Sequence, residues 1–273
     1  MNNLVQRTIS GIVYLIIIIG SLFLGKYFFG ALFLLITVLA LAEFYKLVEN
    51  AGNKPVRVPG LVAAAVVFIL SFLVASHGTD FRMLSIAGIF PVLFFIMALY
   101  SRKADPVKSL SVTFLGLIYV VLPFALMNYL VFPASNNYFY THRIILGILI
   151  LIWINDTGAY LTGTLLGRHK LFPGISPKKS WEGLIGGTLL TIIPAFWMDS
   201  LMGILSQTDW IILAVIVSVF GIFGDLTESL IKRNAGMKDS GAIMPGHGGM
   251  LDRFDSILFV IPVSFLYLII NDL

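Results

Sequence analysis

Cysteine is absent from the 273-residue chain, which excludes structural disulfides, thiolate-bound zinc and a cysteine nucleophile and leaves the redox compartment unreadable from thiol usage. Charge is the second scarcity. Only 12% of the residues are Asp, Glu, Lys or Arg, against roughly 25% in soluble domains, so most of the chain is solvated by something other than water. Apolar runs recur from end to end, 58% of residues are hydrophobic and the mean hydropathy is +0.96. A bilayer core takes about 20 helical residues to cross, and a soluble domain could not bury so many runs of that length. The period-two alternation of a membrane barrel is missing too, because these runs are apolar on all sides. Nor is there an internal repeat. The expected fold class is all-α, a polytopic transmembrane helix bundle of about nine spans.

Charges and Gly/Pro clusters place the spans near 8–25, 27–47, 58–76, 82–100, 109–132, 143–166, 183–203, 210–231 and 251–270. Arg7 ahead of an apolar run and Ala40-Leu41-Ala42 further on imitate a secretory signal, but two long runs separated by Lys26 precede those alanines. A signal's apolar core is only about 7–15 residues, so both runs are expected to be retained helices. With nine spans and the N-terminus in the cytoplasm, one face of the membrane receives Arg7, Lys46, Lys54, Arg57, Arg102, Lys103, Lys108, Arg168, Lys170, Lys178, Lys179, Lys232, Arg233, Lys238 and Arg253. Those are 15 of the 18 basic residues, the bias of the positive-inside rule. Only Lys26, Arg82 and Arg143 fall opposite, and the C-terminus is then expected outside.

The chain divides by composition into an N-terminal scaffold, 1–132, of about five spans and a C-terminal catalytic region, 143–273, of about four. In the first part Glu43 is the one acidic residue inside a run, and it reads as scaffold. From Asn155 onward polar residues become dense. Asp156, in Asn155-Asp156-Thr157, lies deep in the sixth run, where a carboxylate costs several kcal/mol unless paired or hydrated. It marks either a polar cavity or a helix-to-helix hydrogen bond.

Ser176-Pro177-Lys178-Lys179-Ser180-Trp181-Glu182 reads as a helix start, with Ser176 as cap and Pro177 at the first position. Two lysines in the first turn oppose the helix dipole unless an anion such as a phosphate lies among them; the bland alternative is a basic loop touching anionic lipid headgroups. Asp225, Glu228, Ser229, Lys232 and Arg233 follow along one helical stripe, either a self-neutralising ion-pair ladder or, since Asp225 lies among Phe223, Gly224 and Leu226, the site of a hard cation. A glycine-rich loop then feeds the ninth span, and glycines let backbone N–H groups converge on phosphate oxygens. Asp252 and Asp255, one turn apart, are expected to face the Asp225 stripe. Three carboxylates beside five or more cations make up the composition of a magnesium-nucleotide site.

The order Ser229, Lys232-Arg233, Lys238-Asp239, His247-Gly248-Gly249, Asp252-Arg253, Asp255 resembles the signature of phosphatidate cytidylyltransferases, the CDP-diacylglycerol synthases. It covers 27 residues and departs from the pattern only at Met244, an apolar exchange. The Asp156 segment and the Ser-Pro-Lys-Lys-Ser-Trp-Glu loop are similar to family features as well, whereas the N-terminal half matches in hydropathy alone.

The resemblance implies that CTP and phosphatidic acid give CDP-diacylglycerol and pyrophosphate, with Mg²⁺ and optionally a monovalent cation such as K⁺. Asp225 and Asp252 are expected at the metal, with Asp156 a weaker candidate. Asp225, Lys232, Asp252 and Asp255 form the catalytic set. Ser176, Lys178, Lys179, Ser229, Arg233, Lys238, Asp239, His247, Gly248, Gly249 and Arg253 are expected to bind substrate. His247 has two readings, a donor to pyrophosphate or a brace of the loop. Lys178-Lys179 and Lys232–Lys238 are expected to share one anion pocket. Membrane lipids complete the partners, a homodimer is left open and nucleic acid has no role.

The rival readings are a CTP-dependent polyprenol or phytol kinase, which would move the γ-phosphate, and a cation-coupled transporter, since intramembrane carboxylates also suit ion coupling. The Asp-Gly-x-x-Ala-Arg signature of CDP-alcohol phosphotransferases is absent. The orientation is testable directly because the chain carries no native thiol: Lys103→Cys and Lys238→Cys should react with an impermeant maleimide only from the cytoplasmic side, and Asp272→Cys only from the other. Labelling of positions 238 and 272 from the same side would show the span count to be wrong.

Overall fold

The computed structural model describes residues 3–77, 81–101, 105–241, 243 and 248–271. His247, and of the basic residues Arg102 and Lys103, lie outside them. The helices are α1 (Asn3–Phe23), α2 (Lys26–Asn50), α3 (Arg57–His77), α4 (Ile89–Leu99, preceded by the 3₁₀ segment Phe81–Gly88), α5 (Pro106–Gly116), α6 (Leu122–Val131), α7 (Arg143–Leu166), α8 (Trp181–Met202), α9 (Gln207–Asn234) and α10 (Leu251–Ile270). Two short strands, β1 (Lys170–Phe172) and β2 (Ser176–Ser180), pair antiparallel in the α7–α8 connection.

Among the described residues eight helical segments are long and apolar enough to cross a membrane, and α1 adds the shorter apolar stretch Thr8–Phe23. The fourth of the eight, Pro106–Asn136, runs through α5, a π turn at Leu117–Val121 and α6. The protein is an all-α, multi-pass membrane protein.

Helix ends follow local chemistry. Gly25, at φ 103°, separates α1 from α2, a conformation that a β-carbon would oppose. Asp105 caps α5 by accepting from the Lys108 N–H at 2.9 Å, with Pro106 at the first position. Gly203, at φ 61°, closes α8 in the left-handed conformation, the usual helix C-terminal device.

The expected helix start at Ser176 is corrected by the structure: Ser176 and Pro177 belong to β2, and Ser180 is the cap, accepting from the Gly183 N–H at 3.2 Å. The sequence offers two serines four residues apart, and the hairpin decides between them, because the Trp181 N–H donates to the His169 carbonyl at 2.9 Å. Glu182 then occupies the first turn, where the helix dipole favours an anion, and its Oε1 lies 2.6 Å from His169 Nδ1. Lys178 and Lys179 are strand residues, so the dipole no longer argues for an anion beside them.

The chain forms two compact units, one of Met1–Tyr140 with Ile231–Phe254 and one of Thr141–Leu230 with Asp255–Leu273. In the first, an aromatic core joins distant segments: Phe254, in the first turn of α10, meets Phe124 at 5.5 Å between ring centroids, Phe33 at 6.2 Å and Tyr14 at 6.0 Å. Two buried polar side chains also bond across helices in this unit: the Asn128 side-chain amide donates to Ser71 Oγ at 2.7 Å and the Tyr45 hydroxyl to the Thr113 carbonyl at 3.2 Å.

In the second unit α7 and α8 lie against each other along small residues. The buried stripe of α8 is Gly183, Gly187, Thr191, Ala195 and Met198. Lipid chains are as apolar as leucine, so membrane helices gain from close van der Waals approach across small residues. A β-carbon on Gly187 would stand 3.0 Å from both Ala159 Cβ and Asn155 Oδ1. Gly187→Leu should therefore force the helices apart and destabilise the fold by about 1–3 kcal/mol, the usual range for overpacking. The readout is a lowered unfolding midpoint in detergent; an unchanged midpoint would mean that the two helices are not held by this seam.

Candidate functional site

In the second unit, α9 presents Asp225 and Glu228 one turn apart, and α10 approaches α9 at Gly224. A β-carbon there would come within 3.0 Å of Ser256 Cα, so only glycine permits the approach. Asp255 thereby joins the other two: Asp225, Glu228 and Asp255 each offer an oxygen, all within 4.8 Å of one another. Lys179 of β2 forms an ion pair with Asp225. Ser229 donates to Asp225 Oδ1 at 3.2 Å, and the Ser256 N–H to Asp255 Oδ1 at 2.7 Å. Asp156, exposed on α7, is within electrostatic reach of Asp255.

Three carboxylates meet here, Lys179 pairs with one of them, and Glu228 is fully buried. Like charges at this spacing repel, and each loses hydration in low dielectric. A hard cation with oxygen ligands relieves both costs, and an all-carboxylate donor set of this kind suits Mg²⁺ or Ca²⁺ and not a soft thiophilic metal. The residues present fit such an ion.

In the first unit, Lys232 at the end of α9 holds Asp252 Oδ1 at 2.7 Å, with side chains 12% and 7% exposed. Asp252 Oδ2 accepts from the Gly249 N–H at 2.7 Å, the Ser240 N–H at 2.9 Å and Ser240 Oγ at 3.0 Å. Asp252 thus reaches back to the Gly249 N–H, two residues before the first residue of α10. Gly248, at φ 83°, makes the turn into it. Arg233 donates to the Met237 carbonyl at 3.2 Å, and Lys238, Asp239 and Arg253 are exposed.

Along the stripe on α9, Asp225 pairs with Lys179, Lys232 with Asp252, and Arg233 with a backbone carbonyl. Of the predicted site residues, Asp225, Asp255, Ser229 and Lys179 are brought together in the second unit, and Lys232, Asp252, Gly248 and Gly249 in the first. Ser176 is half-buried and Lys178 exposed in β2; His247 lies outside the described residues. Asp252, expected beside Asp225 as a metal ligand, has its oxygens engaged by Lys232, Ser240 and Gly249, and the third carboxylate of the group is Glu228. Sequence reasoning placed Glu228 on the right stripe without giving it to a metal. It did not single out Ser240.

The sequence pattern of the Cytidylyltransferase family matches residues 5–271. The chain belongs to that family. The match takes in the N-terminal half, which hydropathy alone had connected to it. Among similar proteins are the phosphatidate cytidylyltransferases of Staphylococcus haemolyticus, 35% identical over 271 residues, and of Staphylococcus epidermidis and Staphylococcus aureus, each 34% identical over 270 residues. Each alignment covers 96% of this chain and 98% of the relative. As a family member the chain is a nucleotidyltransferase of the membrane, and its carboxylate group is placed to hold a metal.

The buried Lys232–Asp252 pair makes a quantitative demand. Removing one partner of such a pair leaves a bare charge and typically costs about 3–5 kcal/mol. Lys232→Met and Asp252→Asn should each lower the unfolding free energy in detergent by several kcal/mol, while the double variant loses clearly less than the sum. Additive losses would show that the two side chains act independently.

Proposed function

We propose that this protein transfers the cytidylyl group of CTP to phosphatidic acid, releasing pyrophosphate and leaving CDP-diacylglycerol in the membrane for phospholipid synthesis. The observation that carries the reading is the carboxylate group of Asp225, Glu228 and Asp255, in a chain whose loop bears the Lys232-Arg233 to Asp255 signature of the family.

An oxygen of the phosphatidate monoester attacks the α-phosphorus of CTP, the α–β bridging bond breaks, and the electron pair leaves on pyrophosphate. The attacking group is already anionic near neutral pH, with a second pKa of about 6, so no side chain has to remove a proton. Positioning and charge stabilisation dominate. Mg²⁺, when bound by Asp225, Glu228 and Asp255, neutralises charge on the phosphates; the same oxygen donors also suit a monovalent ion such as K⁺. Lys179 and Ser229 orient Asp225. Lys178, Lys232, Arg233, Lys238 and Arg253 hold phosphate oxygens of CTP and lipid, Gly248 offers a backbone N–H, Asp239 orients the cations, and His247 serves either as a donor to pyrophosphate or as a brace of the loop. Asp252 orients Lys232, and its assignment to the metal is part of the proposal. The reaction faces the cytoplasm, where CTP is dissolved and where the basic residues gather.

Label from α-³²P-CTP should appear in lipid and label from γ-³²P-CTP in pyrophosphate; γ-label in lipid would mean a kinase, and label in neither would sink transfer altogether. Asp225→Asn should lower kcat at least about a hundredfold, because loss of a catalytic metal ligand costs several kcal/mol. If Asp252→Asn also weakens Mg²⁺ binding, Asp252 is a ligand; if binding holds and only turnover falls, it orients Lys232. Alanine at both Lys178 and Lys179 should raise KM for CTP or phosphatidate at least about tenfold, the worth of one charge-assisted phosphate contact. Unchanged kinetics would reduce that strand to a lipid-surface contact.

A further inference from the structure

Glu43, in the middle of the N-terminal apolar half, is 6% exposed. Carboxylates are rarely buried to this degree without a task. Its Oε2 accepts from the Leu251 N–H at 2.8 Å and from Ser240 Oγ at 3.1 Å. Leu251 is the first residue of α10, so Glu43 supplies from a remote helix the anion that a helix N-terminus favours.

Ser240 Oγ lies 3.0 Å from Asp252 Oδ2 as well. One hydroxyl proton serves one carboxylate at a time, so Glu43 and Asp252 are coupled through it, and Asp252 in turn holds Lys232 at 2.7 Å. Two glycines mark how closely the loop wraps the carboxylate. A β-carbon on Gly241 would stand 2.8 Å from Glu43 Cδ, and one on Gly249 2.7 Å from it. The fit is that of a socket. The first turn of α10 is pinned on its other side by Phe254, packed on Phe33 of the same helix, α2, that carries Glu43.

We infer that Glu43 is a positioning residue for the reaction: through Ser240 and the Leu251 N–H it fixes the start of α10, and thereby the orientation of Asp252 and Lys232. The N-terminal half takes part in the chemistry through this contact and is more than a lipid-facing scaffold. The inference rests on the transfer reaction proposed above, and its test separates the two.

Four single variants and the double Glu43→Leu/Ser240→Ala are compared in detergent for α-label transfer, unfolding midpoint and amide exchange. Glu43→Leu fills the space but offers no acceptor; Glu43→Gln keeps one carbonyl oxygen. Ser240→Ala removes only the bridging hydroxyl. Thr37→Val is the control, a fully buried α2 hydroxyl that bonds within its own helix at Phe33.

The expected result for Glu43→Leu is a kcat at least about tenfold down with KM for CTP within about threefold, the split of a group that orients without binding. Glu43→Gln should recover at least about threefold of that loss, and Ser240→Ala combined with Glu43→Leu should cost little more than Glu43→Leu alone. Leu251 amide exchange should rise at least about tenfold in Glu43→Leu while the middle of α10 keeps its protection. Thr37→Val should keep its activity.

Activity of Glu43→Leu within about threefold of the parent, or unchanged exchange at Leu251, overturns the inference. So does an equal loss in Thr37→Val. Should Glu43→Leu fail to fold, Glu43→Gln and Ser240→Ala decide, and full activity in both overturns it. If the parent protein transfers no α-label, the functional proposal fails, while the exchange measurement still judges the contact.

Discussion

A carboxylate in a membrane-embedded helix has lost most of the water that stabilised it, and the polar contacts of α2, α9 and α10 offset that cost. Asp252 is met by an ammonium, two backbone N–H groups and a hydroxyl. Glu43 is met by a helix N-terminus and the same hydroxyl. Asp225 has Lys179 and Ser229, and it gathers with Glu228 and Asp255 into a group of three carboxylates. The two arrangements differ in kind. The first is closed by the protein's own donors, and the second is a carboxylate group that could hold a hard cation.

The helices can build these arrangements because their seams are lined with small residues. Gly224 lets α10 come close enough to α9 for Asp255 to join Asp225 and Glu228, and Gly187 does the equivalent for α7 and α8. In lipid there is no hydrophobic gain from pressing leucine on leucine, so close backbone approach is what holds such helices together. The same seams exclude side chains that would separate the charged groups. Packing and electrostatics are therefore one design: glycines set the distances, and the distances decide which carboxylates meet.

Helix α9 carries both kinds of group, Asp225 and Glu228 in its body and Lys232 in its last turn. Cations near a helix C-terminus are favoured by the dipole, whereas Asp225 and Glu228 toward that end are not. Such a local conflict persists when the surroundings compensate it, and conflicts of this sort concentrate where a protein does chemistry. The phosphates that such a protein handles are themselves dense negative charge, which is why its cations gather in the same stretch of chain as its acids.

Sequence alone determined the membrane environment, the helical class and the number of apolar segments, because hydropathy over about 20 residues reports the solvent directly. It also determined the chemistry of the loop from Ser229 to Asp255, since residue types at fixed spacing do not need a fold to be recognised. What it misread was local and had a tertiary cause. Ser176 and Ser180 are both competent caps, and only the hairpin with β1 chooses the second, which moves Lys178 and Lys179 off the helix. Asp252 and Asp255 are one turn apart in the sequence, and the structure separates their surroundings: Lys232 and Ser240 meet the first, while Gly224 lets the second reach Asp225 and Glu228. Glu43 could not be connected to Leu251, 208 residues away, by any periodicity. A long-range contact of that kind leaves no mark on local pattern, so only the tertiary structure could show that Glu43 meets the start of α10 and which carboxylates gather together.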